Sequence, residues 1–343
     1  MNEEAHYQVK IGFPGGYQST FDAQYNYLSD ENGNIITRMS GFDAITGQLG
    51  NGVDASSYTD KKIPAKLSVM WFSLTENKFY RGSFDLPKKE IIHLFKDEKI
   101  LGLFTVEKTK TFNTYDELVV NVAPRGKVYV YARGYAAKLI AVYQAKEIEY
   151  DWKEFLLDNT ILHSEVEAIN TGYYTDPLGE KVVQHIDTRD EAVARNKKID
   201  ETSSNVEEDQ KYFNLYKNYD EGYFKPVHWT LKLEGPSSPQ LLAYLADTLN
   251  GERTPVLKDP LTHVITSIPK EIAFDFKDKN EVKRLNIIFP NLYQLYTKNF
   301  VASQPVQIII GIPNADQTSV HFKQGNKEIE VEKGVRVQEL SRD

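Results

Sequence analysis

Two stretches of this chain pass the same landmarks in the same order, and that repetition restricts the fold more than any other feature. Ile63-Pro64 opens an alternating run through Leu67 and Val69 that closes on Trp71, and Ile268-Pro269 opens another through Ile272 and Phe274 that closes on Phe276. Residues 7–13 alternate with period two and stop at Pro14-Gly15, as residues 227–233 stop at Gly235-Pro236. Leu86-Pro87 precedes Ile91, Leu94 and Phe95 on one helical face, and Phe289-Pro290 precedes Leu292, Leu295 and Tyr296 at the same spacing. Pro124-Arg125-Gly126 separates two strand patterns, as does Pro313-Asn314-Ala315-Asp316. Short strand patterns recur by chance in any β-rich chain, but here the Pro positions and the helix face recur together, which favours duplication. One element breaks the match: Ser238-Pro239 reads as the cap of a helix through Leu241, Leu242, Leu245 and Leu249 to Gly251, where the first half has a hairpin.

The expected architecture is α+β and β-rich: two similar modules, each a mainly antiparallel sheet or sandwich with one or two short helices. The boundaries fall at 1–160, a charged and Tyr-rich connector at 161–222, and 223–343. A length of 343 residues suffices for two cores, and 21 Tyr with 17 Phe suits pleated surfaces. Further strands are expected at 117–122, 127–133 and 139–149, and residues 41–62 read as a long surface loop. Asn32-Gly33 marks a hairpin turn, and the downstream Glu of a calcium loop is missing there. Within the connector, 187–211 is too charged to bury much and reads as a solvated helix or a mobile linker. Tyr212, Phe213, Tyr216 and Tyr219 follow; they either pack on the second module or form a contact surface for a partner, with Glu207, Glu208 and Asp209 meeting a basic protein.

A net charge of -8 argues against a nucleic-acid partner, which needs a basic footprint. The chain has no Cys, hence no disulfide, thiolate ligand or thiol nucleophile. No apolar run reaches the roughly 18 residues of a membrane span. There is no G-x-S-x-G elbow and no phosphate-cradling G-x-x-x-x-G-K-[ST], and Gly47 to Gly52 lacks the context of a dinucleotide loop. The seven His are scattered; His185-Ile186-Asp187 offers two ligands on one strand face and no third. No catalytic, cofactor or metal residue is therefore assigned, and a binding protein is favoured over an enzyme. A hydrolase with paired carboxylates is neither supported nor excluded by the sequence.

The run Leu67-Ser68-Val69-Met70-Trp71-Phe72-Ser73-Leu74, then Phe79-Tyr80, Phe84-Asp85-Leu86-Pro87, the turn Pro124-Arg125-Gly126 and Tyr143-Gln144-Ala145, resembles the family of domain of unknown function 2931 over residues 5–155. The second half departs from it, with Phe276 for Trp71 and no Tyr-Gln-Ala segment, and reads as a diverged tandem copy. The resemblance implies a bacterial, often lipid-anchored protein. It implies the role of an immunity protein, an inhibitor binding a toxic phospholipase of a type VI secretion system in the periplasm. It also implies an export signal and lipid-bearing Cys ahead of Asn2, with the membrane reached only through that anchor; a cytoplasmic location is the alternative. The rival functional reading is an envelope protein recognising glycan or lipid through exposed aromatic rings.

Overall fold

A computed structural model of the chain describes residues 3–14, 17–39, 49–101, 111–160, 162–202, 227–256, 264–279, 281–289, 296, 298–301, 303–314, 317–331 and 336–339. These fall in two compact units, one within 1–97, 116–132 and 139–218 and the other within 98–115, 133–138 and 219–343. Both are strand-rich, with mixed sheets and few helices.

In the first unit, strand Glu4–Gly12 buries Tyr7, Val9 and Ile11, the period-two positions. It pairs in parallel with Tyr115–Ala123, setting Val9 against Leu118 and Ile11 against Val120. Its opposite edge takes the short strands Val53–Asp54 and Thr59–Lys62, both antiparallel. These two lie in the stretch read from sequence as a surface loop; their residues are largely exposed, so no alternation announces them. Tyr115–Ala123 turns into Lys127–Gly134 through Arg125 (φ 62°) and Gly126 (φ 74°), both left-handed, as a two-residue hairpin turn requires.

The second sheet of this unit runs Lys146–Ile148, Lys78–Asp85, Lys66–Ser73, Tyr27–Ser29, Ile35–Arg38, with Ser19–Phe21 also on Lys66–Ser73. Paired residues share a face, so Leu67, Val69 and Trp71 point together into the core and are fully buried or nearly so. The helix Lys88–Lys96 starts after Pro87 and buries Ile91, Leu94 and Phe95, the three residues its spacing predicts. On the sheet's other face, Met70, Phe72 and Phe79 are covered by Phe155 and Val193. Phe155 comes from the helix Trp152–Asp158, capped where the Asp151 carboxylate accepts the Glu154 N–H at 2.9 Å. Val193 comes from Arg189–Thr202, so the charged stretch read as solvated does contribute to a core. Arg189 fixes that helix to the sheet: its Nε donates to the Asn77 side chain at 2.6 Å, and its guanidinium lies over Phe72 and Phe79.

The second unit is a sandwich. Val227–Glu234 pairs in parallel with Val306–Asn314 and antiparallel with Val264–Thr266, and Gln317–Gln324 and Lys327–Glu330 extend that sheet. Facing it are Arg336–Glu339, Glu281–Ile288, Pro269–Asp278, Gln240–Thr248 and Arg253–Val256 in that order. Trp229, Leu231 and Ile308 of the first sheet share one core with Tyr244, Phe274 and Ile287 of the second. The helix expected over 238–251 is the strand Gln240–Thr248, whose bulge between Leu241 and Ala243 shifts the register. The leucines at 241, 242, 245 and 249 mimic a helical face, but the buried positions Leu241, Tyr244, Ala246 and Thr248 follow the pleat once the bulge is counted. Of the helix expected after Phe289-Pro290, Tyr296 is helical and buried against Phe300, while Leu292 and Leu295 lie outside the described residues.

Candidate functional site

The residues that carry the family resemblance meet in the first unit, where each has a structural task. The Trp71 indole N–H donates to the Tyr17 hydroxyl at 3.1 Å, and that hydroxyl donates to Glu76 Oε2 at 3.1 Å. Both Glu76 oxygens lie 3.2 Å from the Arg125 backbone N–H, at the left-handed turn. Tyr17 is fully buried, and burial, reinforced by the Glu76 charge, pushes its phenol well above the usual range. Trp71 stacks on Tyr80 at 5.1 Å, while Phe79, one residue earlier on the pleat, faces the helices. Gln144 Nε2 donates to the Arg125 carbonyl at 2.6 Å, and the Ala145 N–H donates to the Gly126 carbonyl at 2.8 Å. A Cβ on Gly126 would sit 2.8 Å from the Ala145 oxygen and 2.9 Å from Tyr80 Cδ1. The signature therefore builds a scaffold, with its hydrogen-bonding groups turned on one another.

What the scaffold leaves open is the remainder of the sheet face that the helices cover in part. There a cleft of about 570 Å3 is lined by Tyr25, Tyr27, Ser68, Arg81, Ser83 and Lys146, among others. Tyr27 lies across from Ser68, Ser68 from Ser83, and Lys146 from Arg81, so the cross-strand register assembles the cleft from residues far apart in sequence. The Arg81 guanidinium lies 4.0 Å from the Tyr25 ring centroid. Behind it Asp22 is fully buried; its Oδ1 accepts the N–H groups of Gln24 and Tyr25 at 2.8 Å, and its Oδ2 has no hydrogen-bond partner. Burial pushes the Asp22 carboxyl up, partly offset by those N–H groups and by Arg81. None of the residues lining the cleft is acidic.

The predicted partner-binding residues Glu207, Glu208, Asp209, Tyr212, Phe213, Tyr216 and Tyr219 lie outside the described residues. His185 and Asp187 gain a third neighbour that spacing did not reveal: Glu191, whose Oε2 is 3.3 Å from His185 Nε2. Glu191 is held there by a capping box, accepting the Thr188 N–H at 2.8 Å and its hydroxyl at 2.9 Å, bonds that keep its carboxyl below the usual range. Asp187 is paired with Arg195, and the His185 side chain is 71% exposed. The trio has the donor set of a cation site, but both carboxylates are already engaged, Glu191 by Thr188 at the helix start and Asp187 by Arg195. The Asp30 turn is likewise occupied: its carboxylate accepts the N–H groups of Asn32 and Asn34 and the Asn34 side-chain amide, as expected of a turn and not a calcium loop. Signals for the cleft were present as Tyr, Ser and Arg at alternate strand positions, but only the register shows which stand opposite each other.

Among the described residues no helix is long and apolar enough to cross a membrane. No curated protein and no solved structure compared with the chain matches it. A family profile described as "Protein of unknown function (DUF2931)" matches residues 5–213. That span takes in the helices that close the sheet face as well as the strands of the first unit, and it does not extend to the second strand-rich half. With more than half of its 343 residues matched, including the Trp71 network, the chain belongs to the DUF2931 family.

Proposed function

We propose that this protein acts by binding another protein and not by transforming a substrate, with the cleft of the first unit as its docking surface. The observation that carries the reading is the division of one sheet face: Phe155 and Val193 seal part of it with Tyr25 packed at the border, and the rest presents Tyr27, Arg81 and Lys146. Tyr and Arg on a preformed surface are the residue types that anchor protein interfaces, at little ordering cost. Following what the family resemblance implies, the partner is a secreted phospholipase toxin, neutralised in the periplasm by an anchored form of this protein. A sugar platform is disfavoured because the Arg81 guanidinium covers a face of Tyr25 that a sugar ring would need.

The same reading treats the second unit as a diverged copy of the first. Its support is that in each unit the opening strand pairs in parallel with a later strand, Tyr115–Ala123 in one and Val306–Asn314 in the other. The test of function is to mix the protein with the lipase encoded beside its gene and measure complex formation and lipase activity. A complex with loss of lipase activity is expected; no complex and no protection of cells from the toxin would overturn the proposal.

A further inference from the structure

Resting on the cleft as docking surface, we infer that the group it receives is a carboxylate-bearing segment of a protein partner, held jointly by Arg81 and Lys146. The two cations are direct cross-strand partners. Alternation along Lys146–Ile148 sends Glu147 to the opposite face, where it pairs with Lys78 at 2.7 Å, so it cannot neutralise them. Like charges set opposite each other on one face cost stability, and this pair sits in a chain of net charge -8 in a cleft with no acidic lining. Asp22, fully buried behind Arg81, attracts it from beneath but is not among the residues that line the cleft. Ser68 and Ser83, with their hydroxyls 3.4 Å apart, stand beside the cations and supply neutral donors to an oxyanion.

The arrangement has the form of a site whose charge balance is completed by its ligand. An acidic peptide segment suits it better than an anionic bilayer, because a bilayer would face the net negative charge of the whole molecule while a segment meets only the cleft. Lys146 on an edge strand also places one cation where an incoming chain arrives first.

The experiment is fluorescence anisotropy with a labelled hexaglutamate peptide, titrated with the full chain, K146E, R81Q and K153E, at about 20 mM and about 300 mM salt. K153E makes the same charge change on the exposed outer side of Trp152–Asp158. Wild type is expected to bind the peptide in a salt-sensitive way, K146E and R81Q to weaken it about tenfold or more, and K153E to leave it within about twofold. Equal weakening by K146E and K153E, or no binding by wild type, overturns the inference. Binding of inorganic phosphate or phosphatidylglycerol vesicles with the same K146E sensitivity, and no binding of the peptide, also overturns it by naming another occupant. A lipase that binds K146E as tightly as wild type removes this inference and leaves the binding reading intact. Peptide binding with no lipase binding removes the lipase and leaves the cleft.

Discussion

If Lys146 is retained for a ligand and not for the fold, then reversing its charge should make the protein more stable. Lys146 and Arg81 face each other across adjacent strands, and among the described residues neither forms a close ion pair with a carboxylate, although the buried Asp22 attracts Arg81 from behind. An opposite-charge cross-strand pair contributes roughly 0.2–1 kcal/mol and a like pair costs a comparable amount, so K146E should shift stability by roughly 0.4–2 kcal/mol. Both side chains are exposed, so solvent screening brings the expectation to the low end, about 0.5 kcal/mol at low salt. For a unit of this size that is about 1–2 °C in Tm. Thermal or urea unfolding of wild type, K146E, R81A and the double variant supplies the cycle: the gain from K146E should disappear in the R81A background. It should also shrink as salt rises, since the screening length falls from about 10 Å at 0.1 M to about 3 Å at 1 M. A destabilised K146E, or a gain indifferent to salt and to Arg81, would refute the claim that the two charges oppose each other. A variant that is more stable and binds less would separate the demands of the fold from those of the ligand.

Y17F removes the hydroxyl between Trp71 and Glu76 and should cost about 1–3 kcal/mol by urea unfolding; an unchanged midpoint would mean that the network is not closed in solution. G126A must hold φ near 74° and push a methyl against Ala145 and Tyr80, so it should cost more than G33A, whose φ of 84° is equally left-handed but whose Cβ meets nothing within 4 Å. The G33A loss should stay near the 1 kcal/mol of a left-handed alanine, and equal losses would place the Gly126 contacts in doubt. For Asp22 the folded carboxyl titrates above its unfolded value, so its burden is absent below the unfolded value and grows as pH rises through the folded one. D22N should therefore raise Tm relative to wild type at pH 7, with the difference closing toward pH 3, and the opposite trend would contradict the burial argument. E191A opens the Thr188 capping box and should loosen the helix start, read as loss of amide exchange protection in the first turn of Arg189–Thr202; unchanged protection there would show that packing of Val193 alone starts the helix.

Much of the local structure was legible. Alternation through Tyr7, Val9 and Ile11, the Pro-opened helix with Ile91, Leu94 and Phe95, and the turns at Asn32-Gly33 and Arg125-Gly126 all depend on neighbours in the chain, and each forms where its residues indicate. The misses share a cause. Gln240–Thr248 carries leucines at helical spacing, yet pairing with Pro269–Asp278 makes it a strand, since a sheet partner tens of residues away outweighs a weak local preference. Val53–Asp54 and Thr59–Lys62 pair at an exposed edge, so the sequence has no buried face to display.

The candidate site divides along the same line. From residue order alone came a strand-rich chain, a signature of Trp, Tyr, Pro-Arg-Gly and Tyr-Gln-Ala segments, and the lack of any reactive motif, because each is a property of consecutive residues or of their spacing. Tertiary structure alone decided that the signature closes on itself through Tyr17 and Glu76, that Val193 helps to seal part of a sheet face, and that Lys146 stands opposite Arg81. Register and coverage join residues distant in the chain, and whether a cation is balanced or left for a ligand depends on what lies across the strand from it, which no window of sequence contains.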